Sequence, residues 1–184
     1  MAFAVWFTGL PGSGKTVIAS RTAAILRNEG IDVKILQLDE IRKVLTPNPK
    51  YTDDEREIVY ASLSYMAKLV VECDMNVFID ATANKRKYRD AARRLIPQFG
   101  EVYIRCPLEV CMEREAHRTA IFSPKGIYEK SAKAGANVPG VNVAYEEPVD
   151  PIIIIDSDKT KPDTSANIAA DAIINFFGDM FNEN

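Results

Sequence analysis

The residues from Gly9 to Thr16 read GLPGSGKT and fit the pattern G-x-x-x-x-G-K-[ST]. The glycines permit a tight turn whose backbone N–H groups point inward at phosphate oxygens. Lys15 adds a positive charge for the β- and γ-phosphates, and the Thr16 hydroxyl can hold Mg²⁺. The run follows an apolar segment and opens an amphipathic one, which is the context this loop requires. The sequence therefore predicts a site for a nucleoside triphosphate with magnesium.

All but one residue of this loop are predicted to bind the triphosphate, with Lys15 also catalytic and Thr16 also a metal ligand. They are Gly9, Pro11, Gly12, Ser13, Gly14, Lys15 and Thr16. Such a loop serves kinases, switch GTPases and ATPases alike. A GTPase would usually carry N-K-x-D, and NKRK at residues 84–87 lacks the aspartate. The small size and a later lysine-bearing loop favour phosphoryl transfer to a small molecule.

Two aspartates follow apolar runs on the edge where the phosphate loop also lies. Asp39 closes VKILQLD, and Asp80 closes NVFID. Phosphoryl transfer needs a carboxylate for Mg²⁺ and often one to orient or deprotonate the acceptor hydroxyl. Either aspartate could take either role, so both are candidate catalytic residues, and Asp39 is also a candidate metal ligand. The alternative for each is an N-cap of the next helix.

Five short apolar runs predict the strands that position these residues. They span residues 3–7, 33–38, 76–79, 101–106 and 152–156. Several lack polar alternation, as expected for parallel strands covered on both faces. Amphipathic segments separate them, one of which opens with a candidate capping box from Thr52 to Glu55. The alternation predicts an α/β, three-layer P-loop fold with a doubly wound five-stranded parallel sheet.

One region breaks this alternation. From about Thr119 to Pro151 the chain is rich in Gly, Pro, Lys and polar residues, with at most a short helix near residues 127–134. A connection this long is usually a functional lid or a mobile loop. We expect one domain over residues 1–184 with a lid at about 115–150, the alternative being a surface excursion without function.

The composition is that of an ordinary globular domain, 47% hydrophobic and 27% charged. A net charge of −3 gives no global attraction to nucleic acid or acidic membranes, so any anion binding must be local. The three cysteines show no metal-ligand spacing, and their odd number without a secretory signal suits a reducing cytosol. We therefore expect a cytoplasmic protein with small-molecule substrates that binds neither nucleic acid nor membranes.

Beyond these features the chain resembles the adenylylsulfate (APS) kinase family, which phosphorylates the ribose 3′-hydroxyl of adenosine 5′-phosphosulfate with MgATP. Six runs carry the resemblance in order: VWFTGLPGSGKT, LQLDEIR, YTDDERE, CPLEVCMERE, PKGIYEKSAKAG and YEEPVDPIIIID. Together they cover nearly the whole chain. The resemblance implies a P-loop kinase with ATP and Mg²⁺ as cofactors, and it leaves a homodimer open.

The resemblance also assigns residues to the two substrates. Arg42 and Arg56 match arginines at the acceptor, Tyr51 an aromatic contact and Lys125 a lid lysine. Planar guanidinium groups suit bidentate contacts with phosphate or sulfate. Arg114 matches an arginine near the ATP base or phosphates. The full set of acceptor candidates is Asp39, Arg42, Tyr51, Arg56, Ile79, Asp80, Thr82, Asn84, Lys125 and Val138.

A simpler interpretation exists for the acceptor-side arginine Arg56 and for the ATP-side arginine Arg114. Arg56 could instead form a surface pair with Asp53, and Arg114 could pair with Glu113 or Glu115.

Several runs depart from the family pattern on the acceptor side. Val59 stands where the family has asparagine, and Val138 stands where a lid phenylalanine stacks on the acceptor adenine. The run AHRTAIFS, residues 116–123, lengthens the lid, and FIDAT replaces F-I-S-P-[YF]. These departures leave the ATP half unchanged.

The run DATANKRKYR also resembles D-x-T-N-x-x-R-x-x-R in P-loop kinases that act on other hydroxyl compounds. Asp80, Thr82 and Asn84 would then surround the acceptor, together with Arg86 and Arg89. The alternative is a helix whose apolar face packs on the domain while its basic residues are solvated. That face would consist of Tyr88, Ala91, Ala92 and Leu95.

Three hypotheses follow for the function. The first is an ATP-dependent kinase that phosphorylates the 3′-hydroxyl of APS. The second is a related kinase with another nucleotide- or sugar-linked acceptor. The third is a nucleotide-binding switch protein with slow ATPase activity, against which Asp39 and the lysine-bearing lid argue.

Overall fold

The computed structural model describes residues 2–117, 122–133 and 135–178. Its five strands are β1 (Ala4–Thr8), β2 (Val33–Gln37), β3 (Asn76–Asp80), β4 (Phe99–Arg105) and β5 (Ile153–Asp156). Neighbouring strands all pair in parallel, in the order β2-β3-β1-β4-β5. Every predicted apolar run is a strand, with bounds that agree within two residues.

Helices cover both faces of the sheet. They are α1 (Lys15–Asn28), α2 (Leu38–Leu45), α3 (Asp53–Glu72), α4 (Arg86–Leu95), α5 (Leu108–His117) and α6 (Pro162–Phe176). Along β1, Val5 and Phe7 join a core cluster with residues of α1 and α6, whereas Ala4 and Trp6 join another with residues of α3 and α4. Because β1 is buried on both faces, its sequence is continuously apolar. The predicted three-layer α/β fold is confirmed.

Helix α3 begins as predicted, but its capping box is only half formed. The Thr52 hydroxyl is the N-cap acceptor and receives the Glu55 N–H at 3.2 Å. The Glu55 carboxylate instead accepts the backbone N–H groups of Lys50, at 2.6 Å, and Tyr51, at 3.2 Å. These bonds tie the loop before α3 to the first turn of the helix.

On helix α4 the basic residues Arg86, Lys87, Arg93 and Arg94 are exposed, as the solvated-face interpretation expects, whereas Arg89 departs from both interpretations. Arg89 is fully buried and donates to Glu101 at 2.7 Å. It also donates to the backbone oxygens of Ala83 and Glu146. Leu95, predicted to pack, is exposed. Arg89 therefore joins the corner after β3 to β4 and to the chain returning from the lid.

The segment predicted to be the lid is hydrogen-bonded to the rest of the domain at two places, the phosphate loop and the turn after β3. A 3₁₀ helix (Glu129–Ala132) stands where a short helix was predicted. The Tyr128 hydroxyl donates to the Pro11 backbone oxygen at 2.7 Å, and the Glu146 N–H donates to the Asn84 oxygen at 2.7 Å. Within the described ranges, no helix has the length and apolar character needed to cross a membrane.

Candidate active site

A cavity of about 890 Å³ lies at the carboxyl edge of the sheet, between the phosphate loop and the lid. In the described chain, seven basic and two acidic residues line it. The basic ones are Lys15, Arg42, Lys50, Arg56, Arg114, Lys130 and Lys133, and the acidic ones are Asp39 and Asp80. In a chain of net charge −3, this concentrates positive potential at one place and suits polyanionic ligands.

The phosphate loop keeps its shape through glycines and one lysine. Gly12 and Gly14 have φ values of 83° and 98°, in the left-handed region that favours glycine. A Cβ on Gly12 would also lie 2.4 Å from the backbone oxygen of Cys111 in α5. The Lys15 ammonium donates to the Leu10 oxygen at 2.9 Å, so it lies across the loop.

The cavity lining contains all the predicted triphosphate residues except Gly9. They are Pro11, Gly12, Ser13, Gly14, Lys15 and Thr16. Gly9 is buried against β4, where a Cβ would lie 2.3 Å from the Ile104 oxygen. Its predicted ligand contact is replaced by a packing role, since only glycine allows the loop to approach β4 this closely.

Asp80 lies at the end of β3 and bonds directly to the phosphate loop. Its carboxylate accepts the Thr16 hydroxyl at 2.6 Å and is only 4% exposed. Burial raises the pKa of Asp80, while the Lys15 ammonium and the Thr16 hydrogen bond oppose that rise and the Asp39 charge adds to it. The N-cap of α4 is Lys85, so the capping alternative for Asp80 is wrong.

Asp39 does not close a strand, because β2 ends at Gln37 and Gln37 is the N-cap of α2. Asp39 therefore lies in the first turn of a helix, which corrects both the predicted strand end and the capping alternative. Its carboxylate lines the cavity and accepts a hydrogen bond from the Ser123 hydroxyl. Its charge acts on the pKa of Asp80, so the two carboxylates share one site.

The oxygen donors at this place fit Mg²⁺. That ion is usually held by one or two carboxylates and completes its octahedron with phosphate and water oxygens. Here the Thr16 hydroxyl and the Asp80 carboxylate are bonded to each other, with Asp39 nearby. Over the described residues, no group of three or more His, Cys, Asp or Glu side chains could form an all-protein metal site. The donors therefore suit a cation that arrives with phosphate.

Arg114 is held against the cavity wall by the loop after β5. It donates to the Ser157 hydroxyl at 3.1 Å and to the Ser157 backbone oxygen at 2.9 Å. The Ser157 hydroxyl in turn donates to the Ser13 oxygen at 2.7 Å. This chain of bonds connects α5 and β5 to the phosphate loop.

Arg42 is held within the cavity wall by two neighbouring side chains. It forms an ion pair with Glu55 at 2.8 Å, and its guanidinium lies 5.0 Å from the centroid of the Tyr51 ring. Tyr51 has a φ of 55°, and burial raises the pKa of its hydroxyl, opposed by the Arg42 charge. Both residues line the cavity, and their predicted acceptor contacts stay a prediction.

Arg56 is buried and bonded to the corner after β3. It donates to the Asn84 side-chain oxygen at 3.1 Å, and the Asn84 amide donates to the Ala144 oxygen at 3.2 Å. The predicted alternative, a surface pair with Asp53, is wrong because Lys85 pairs with Asp53 at 2.9 Å. Arg56 and Asn84 thus line the cavity and hold the returning lid at the same time.

Two acceptor candidates do not face the cavity. Ile79 is fully buried in the core cluster under α3 and α4, so its predicted contact is wrong. Lys125 is exposed and outside the described lining, whereas Lys130 and Lys133 belong to it. The remaining candidates Thr82 and Val138 also line it.

The site residues that were not predicted include Glu55, Phe122, Ser123 and Ser157, beside the lining lysines Lys50, Lys130 and Lys133. Glu55 had a signal, three residues after Thr52, but it was interpreted only as a cap. The others lie in segments without periodicity, and their contacts join residues far apart in the chain.

The fold and the site define a P-loop kinase. Its phosphate loop follows the central strand β1, and Asp80 lies at the end of the neighbouring strand β3. The family model for adenylylsulphate kinase matches residues 1–156. A Pyrococcus abyssi protein described as a probable adenylyl-sulfate kinase is 35% identical over 167 residues, 90% of this chain and 91% of that protein. This chain belongs to the adenylylsulphate kinase family.

Solved structures agree with this assignment. The APS kinase CysC of Mycobacterium tuberculosis, in complex with AMPPNP and APS, matches with a TM-score of 0.79 and 30% identity over 94% of this chain and 97% of that one. A sugar kinase from Janibacter sp. matches with a TM-score of 0.67 and 22% identity over 97% and 95% of the chains. The second likeness shows a shared fold alone.

Proposed function

We propose that the protein transfers the γ-phosphoryl group of MgATP to the 3′-hydroxyl of adenosine 5′-phosphosulfate. The observation that carries this proposal is the Asp39 carboxylate, which already accepts a hydroxyl hydrogen bond in the cavity that contains Lys15 and the Thr16–Asp80 pair. Family membership supports the same reaction. The Mycobacterium tuberculosis relative, with AMPPNP and APS bound, supports this pair of substrates.

The phosphate loop and Asp80 serve the ATP side of the reaction. Lys15 and the loop N–H groups bind the β- and γ-phosphates, and Thr16 with Asp80 holds the metal through oxygen atoms. Bound Mg²⁺ supplies charge neutralisation of the phosphate oxygens. Arg114 and Ser157 form the wall beside the loop, and we assign the rest of ATP to that side.

Asp39 and the two arginines serve the acceptor side. The acceptor oxygen forms a bond to the γ-phosphorus, the bond from that phosphorus to the bridging oxygen breaks, and ADP leaves. Asp39 takes the proton from the acceptor hydroxyl. Arg42 and Arg56 lie in the same wall and suit the acceptor's anionic groups, since Glu55 and Asn84 hold their guanidinium groups in place.

A related kinase with another hydroxyl acceptor is the second candidate. It is favoured because both arginines already have partners. Glu55 neutralises the charge of Arg42, and the Asn84 side chain accepts a hydrogen bond from Arg56. An acceptor that carries less negative charge than APS would suit such a site. The acceptor therefore has to be tested directly.

The test is ATP consumption measured with APS and with a panel of other hydroxyl compounds. We expect turnover that depends on APS. Lys15→Ala should abolish it because the phosphate charge is unpaired, and Asp39→Asn should lower kcat about 100-fold or more while ATP binding stays unchanged. Turnover with another acceptor alone would select the second candidate. Acceptor-independent hydrolysis alone would indicate a switch protein, and near-normal turnover of Asp39→Asn would remove Asp39 from its role.

A further inference from the structure

The corner after β3, residues 81–84, contributes two of the acceptor candidates, Thr82 and Asn84, to the cavity wall. It lies outside the strands of the sheet. Between the two candidates, Ala83 is fully buried with a φ of 43°, in the left-handed region that residues with a side chain rarely adopt. Such a conformation persists only where the surrounding structure holds it. The positions of Thr82 and Asn84 therefore depend on the groups that bond to this corner.

Three successive backbone oxygens of the corner, those of residues 82–84, accept hydrogen bonds from three different parts of the chain. The donors are the Thr8 hydroxyl at the end of β1, the Arg89 guanidinium of α4 and the Glu146 N–H of the segment returning from the lid. The bonds from Thr8 and Glu146 are both 2.7 Å long. Each peptide group of the corner is thus tied to the rest of the domain.

Tyr145, next to Glu146 on the returning segment, determines the direction of the bond from Thr8. Its hydroxyl lies 2.7 Å from the Thr8 hydroxyl. Because a carbonyl oxygen can only accept, the single Thr8 proton goes to the Thr82 oxygen, and the Tyr145 hydroxyl is the donor to Thr8. Burial raises the pKa of Tyr145, so this hydroxyl keeps its proton. The hydrogen bonds form a chain from Tyr145 through Thr8 to Thr82, in which each bond strengthens the next.

The two ends of this chain of bonds differ in how firmly their backbones are held. The Thr8 backbone pairs with Tyr103 in the ladder between β1 and β4, so the sheet fixes it. The Thr82 backbone lies outside the strands, beside the left-handed Ala83. Loss of the Tyr145 hydroxyl would therefore displace the corner with its acceptor candidates rather than the phosphate loop that follows Thr8.

The Tyr145 ring is held independently of its hydroxyl. It stacks on the Tyr103 ring with centroids 5.8 Å apart, and the Arg89 guanidinium lies 5.8 Å from its centroid. The Tyr103 hydroxyl donates to Glu147 at 3.0 Å. The hydroxyls of the two stacked tyrosines thus bond to different parts of the protein, and the bond of Tyr145 leads to the cavity wall.

We propose that Tyr145 is a positioning residue for the acceptor, because its hydroxyl holds Thr8 and thereby the corner that presents Thr82 and Asn84 to the cavity. Tyr145 and Thr8 both lie outside the described lining of the cavity, so they act through the corner. The segment returning from the lid is in this way part of the acceptor site. This inference rests on the proposed function and adds a residue on which its acceptor side depends.

The test compares Tyr145→Phe with Tyr103→Phe in steady-state kinetics with APS and MgATP. Each substitution removes one hydroxyl from the stacked pair and keeps both rings. Tyr145→Phe should raise the KM for APS about 5-fold, the change that corresponds to the loss of one hydrogen bond, and leave the KM for ATP unchanged. Tyr103→Phe is the matched control and should leave both KM values unchanged. An unchanged KM for APS in Tyr145→Phe, an equal rise in the KM for ATP, or the same rise in Tyr103→Phe would overturn the inference.

Substitutions of Thr8 test the chain of bonds itself. Thr8→Val keeps the shape and removes the hydroxyl, so it should raise the KM for APS at least as much as Tyr145→Phe. The double variant Thr8→Val/Tyr145→Phe should have the same KM for APS as Thr8→Val alone, because the Tyr145 hydroxyl then has nothing to hold. Thr8→Ser keeps the hydroxyl and should retain the wild-type KM. Effects that multiply in the double variant would mean that Tyr145 acts by another route and would overturn the inference.

Turnover of the wild type separates this inference from the proposed function. If the wild type does not turn over with APS, the proposed function fails, and the same variants are compared with whichever acceptor of the panel supports turnover. If no acceptor supports turnover, both fail. If the wild type turns over with APS and Tyr145→Phe has an unchanged KM for it, only this inference fails.

Discussion

At the scale of single residues, the site concentrates groups whose burial costs stability. Asp80 is an acid removed from water, and burial is the largest influence on its pKa, above the opposing effects of Lys15 and Thr16. When the pKa of an acid is raised in the folded state, the folded protein becomes less stable as the pH rises, because it must then bury the charged form of that acid. We infer that this cost accompanies the role proposed for Asp80 beside the phosphate loop and the metal.

We therefore predict that Asp80→Asn stabilises the ligand-free protein at pH 7. The melting temperature should rise by about 2–4 °C, the shift that roughly 1 kcal/mol produces in a domain of this size. The gain should shrink as the pH falls toward the ordinary Asp pKa of 3.8, where the wild-type carboxyl is protonated and neutral as well. Thermal melts from pH 4 to pH 8 measure this dependence.

Asp158→Asn serves as the control, because Asp158 is exposed and its substitution should leave the melting temperature unchanged. Addition of MgATP should stabilise the wild type and not Asp80→Asn. A lower melting temperature for Asp80→Asn at pH 7, or an equal gain at pH 4, would contradict the account of Asp80.

Some of these site residues could be predicted from the sequence and others could not, for a physical reason. The phosphate loop is contiguous, so its spacing alone predicts which of its groups face a phosphate. Lys125 and Ile79 were assigned by position in a resembling run, and neither faces the cavity. The bonds of Ser123 to Asp39 and Arg114 to Ser157 join distant parts of the chain, and no local pattern encodes them.

At the scale of elements, strands were predictable because burial on both faces demands continuous apolar runs. Helix α2 was missed because its first residue, Leu38, continues the apolar run of β2. The burial of Arg89 was missed because an arginine on a helix is usually solvated. Only the tertiary fold brings Glu101 and two backbone oxygens to it.

Arg89 and Arg93 provide a matched pair for this clamp, since both contact Glu101. Arg89→Ala should lower the free energy of unfolding by about 3–5 kcal/mol, because it leaves a buried carboxylate without its main partner. Arg93→Ala should cost about 0–1 kcal/mol, because that side chain is 42% exposed. Urea denaturation followed by the fluorescence of Trp6, the single tryptophan, measures both, and equal losses would contradict the clamp.

Comparing Gly12, which lies in the phosphate loop, with Gly30, which lies between α1 and β2, separates the effect of backbone strain from that of steric contact. Their φ values are similar, 83° and 81°, but a Cβ at Gly12 would meet Cys111 at 2.4 Å while one at Gly30 meets nothing within 4 Å. Gly30→Ala should therefore cost about 1 kcal/mol and leave ATP affinity unchanged. Gly12→Ala should lower ATP affinity at least about 10-fold by moving the loop off α5. Titration with a fluorescent ATP analogue tests this, and equal ATP affinities would contradict it.

At the scale of the whole molecule, a chain of net charge −3 places a strongly basic cavity at one edge of its sheet. The sheet order places the phosphate loop, Asp80 and α2 at one edge, and the lid is bonded to that edge through Tyr128 and Glu146. A cavity between these parts suits transfer between two bound anions. Its charge and shape are properties of the fold, which composition alone did not predict.

The most direct test of the central claim is the identity of the phosphorylated product. Purified protein is incubated with MgATP and APS, and the products are separated and analysed by mass spectrometry and phosphorus NMR. The account predicts one ADP formed for each APS that gains a phosphoryl group at its 3′-oxygen. Release of inorganic phosphate with APS unchanged would contradict it.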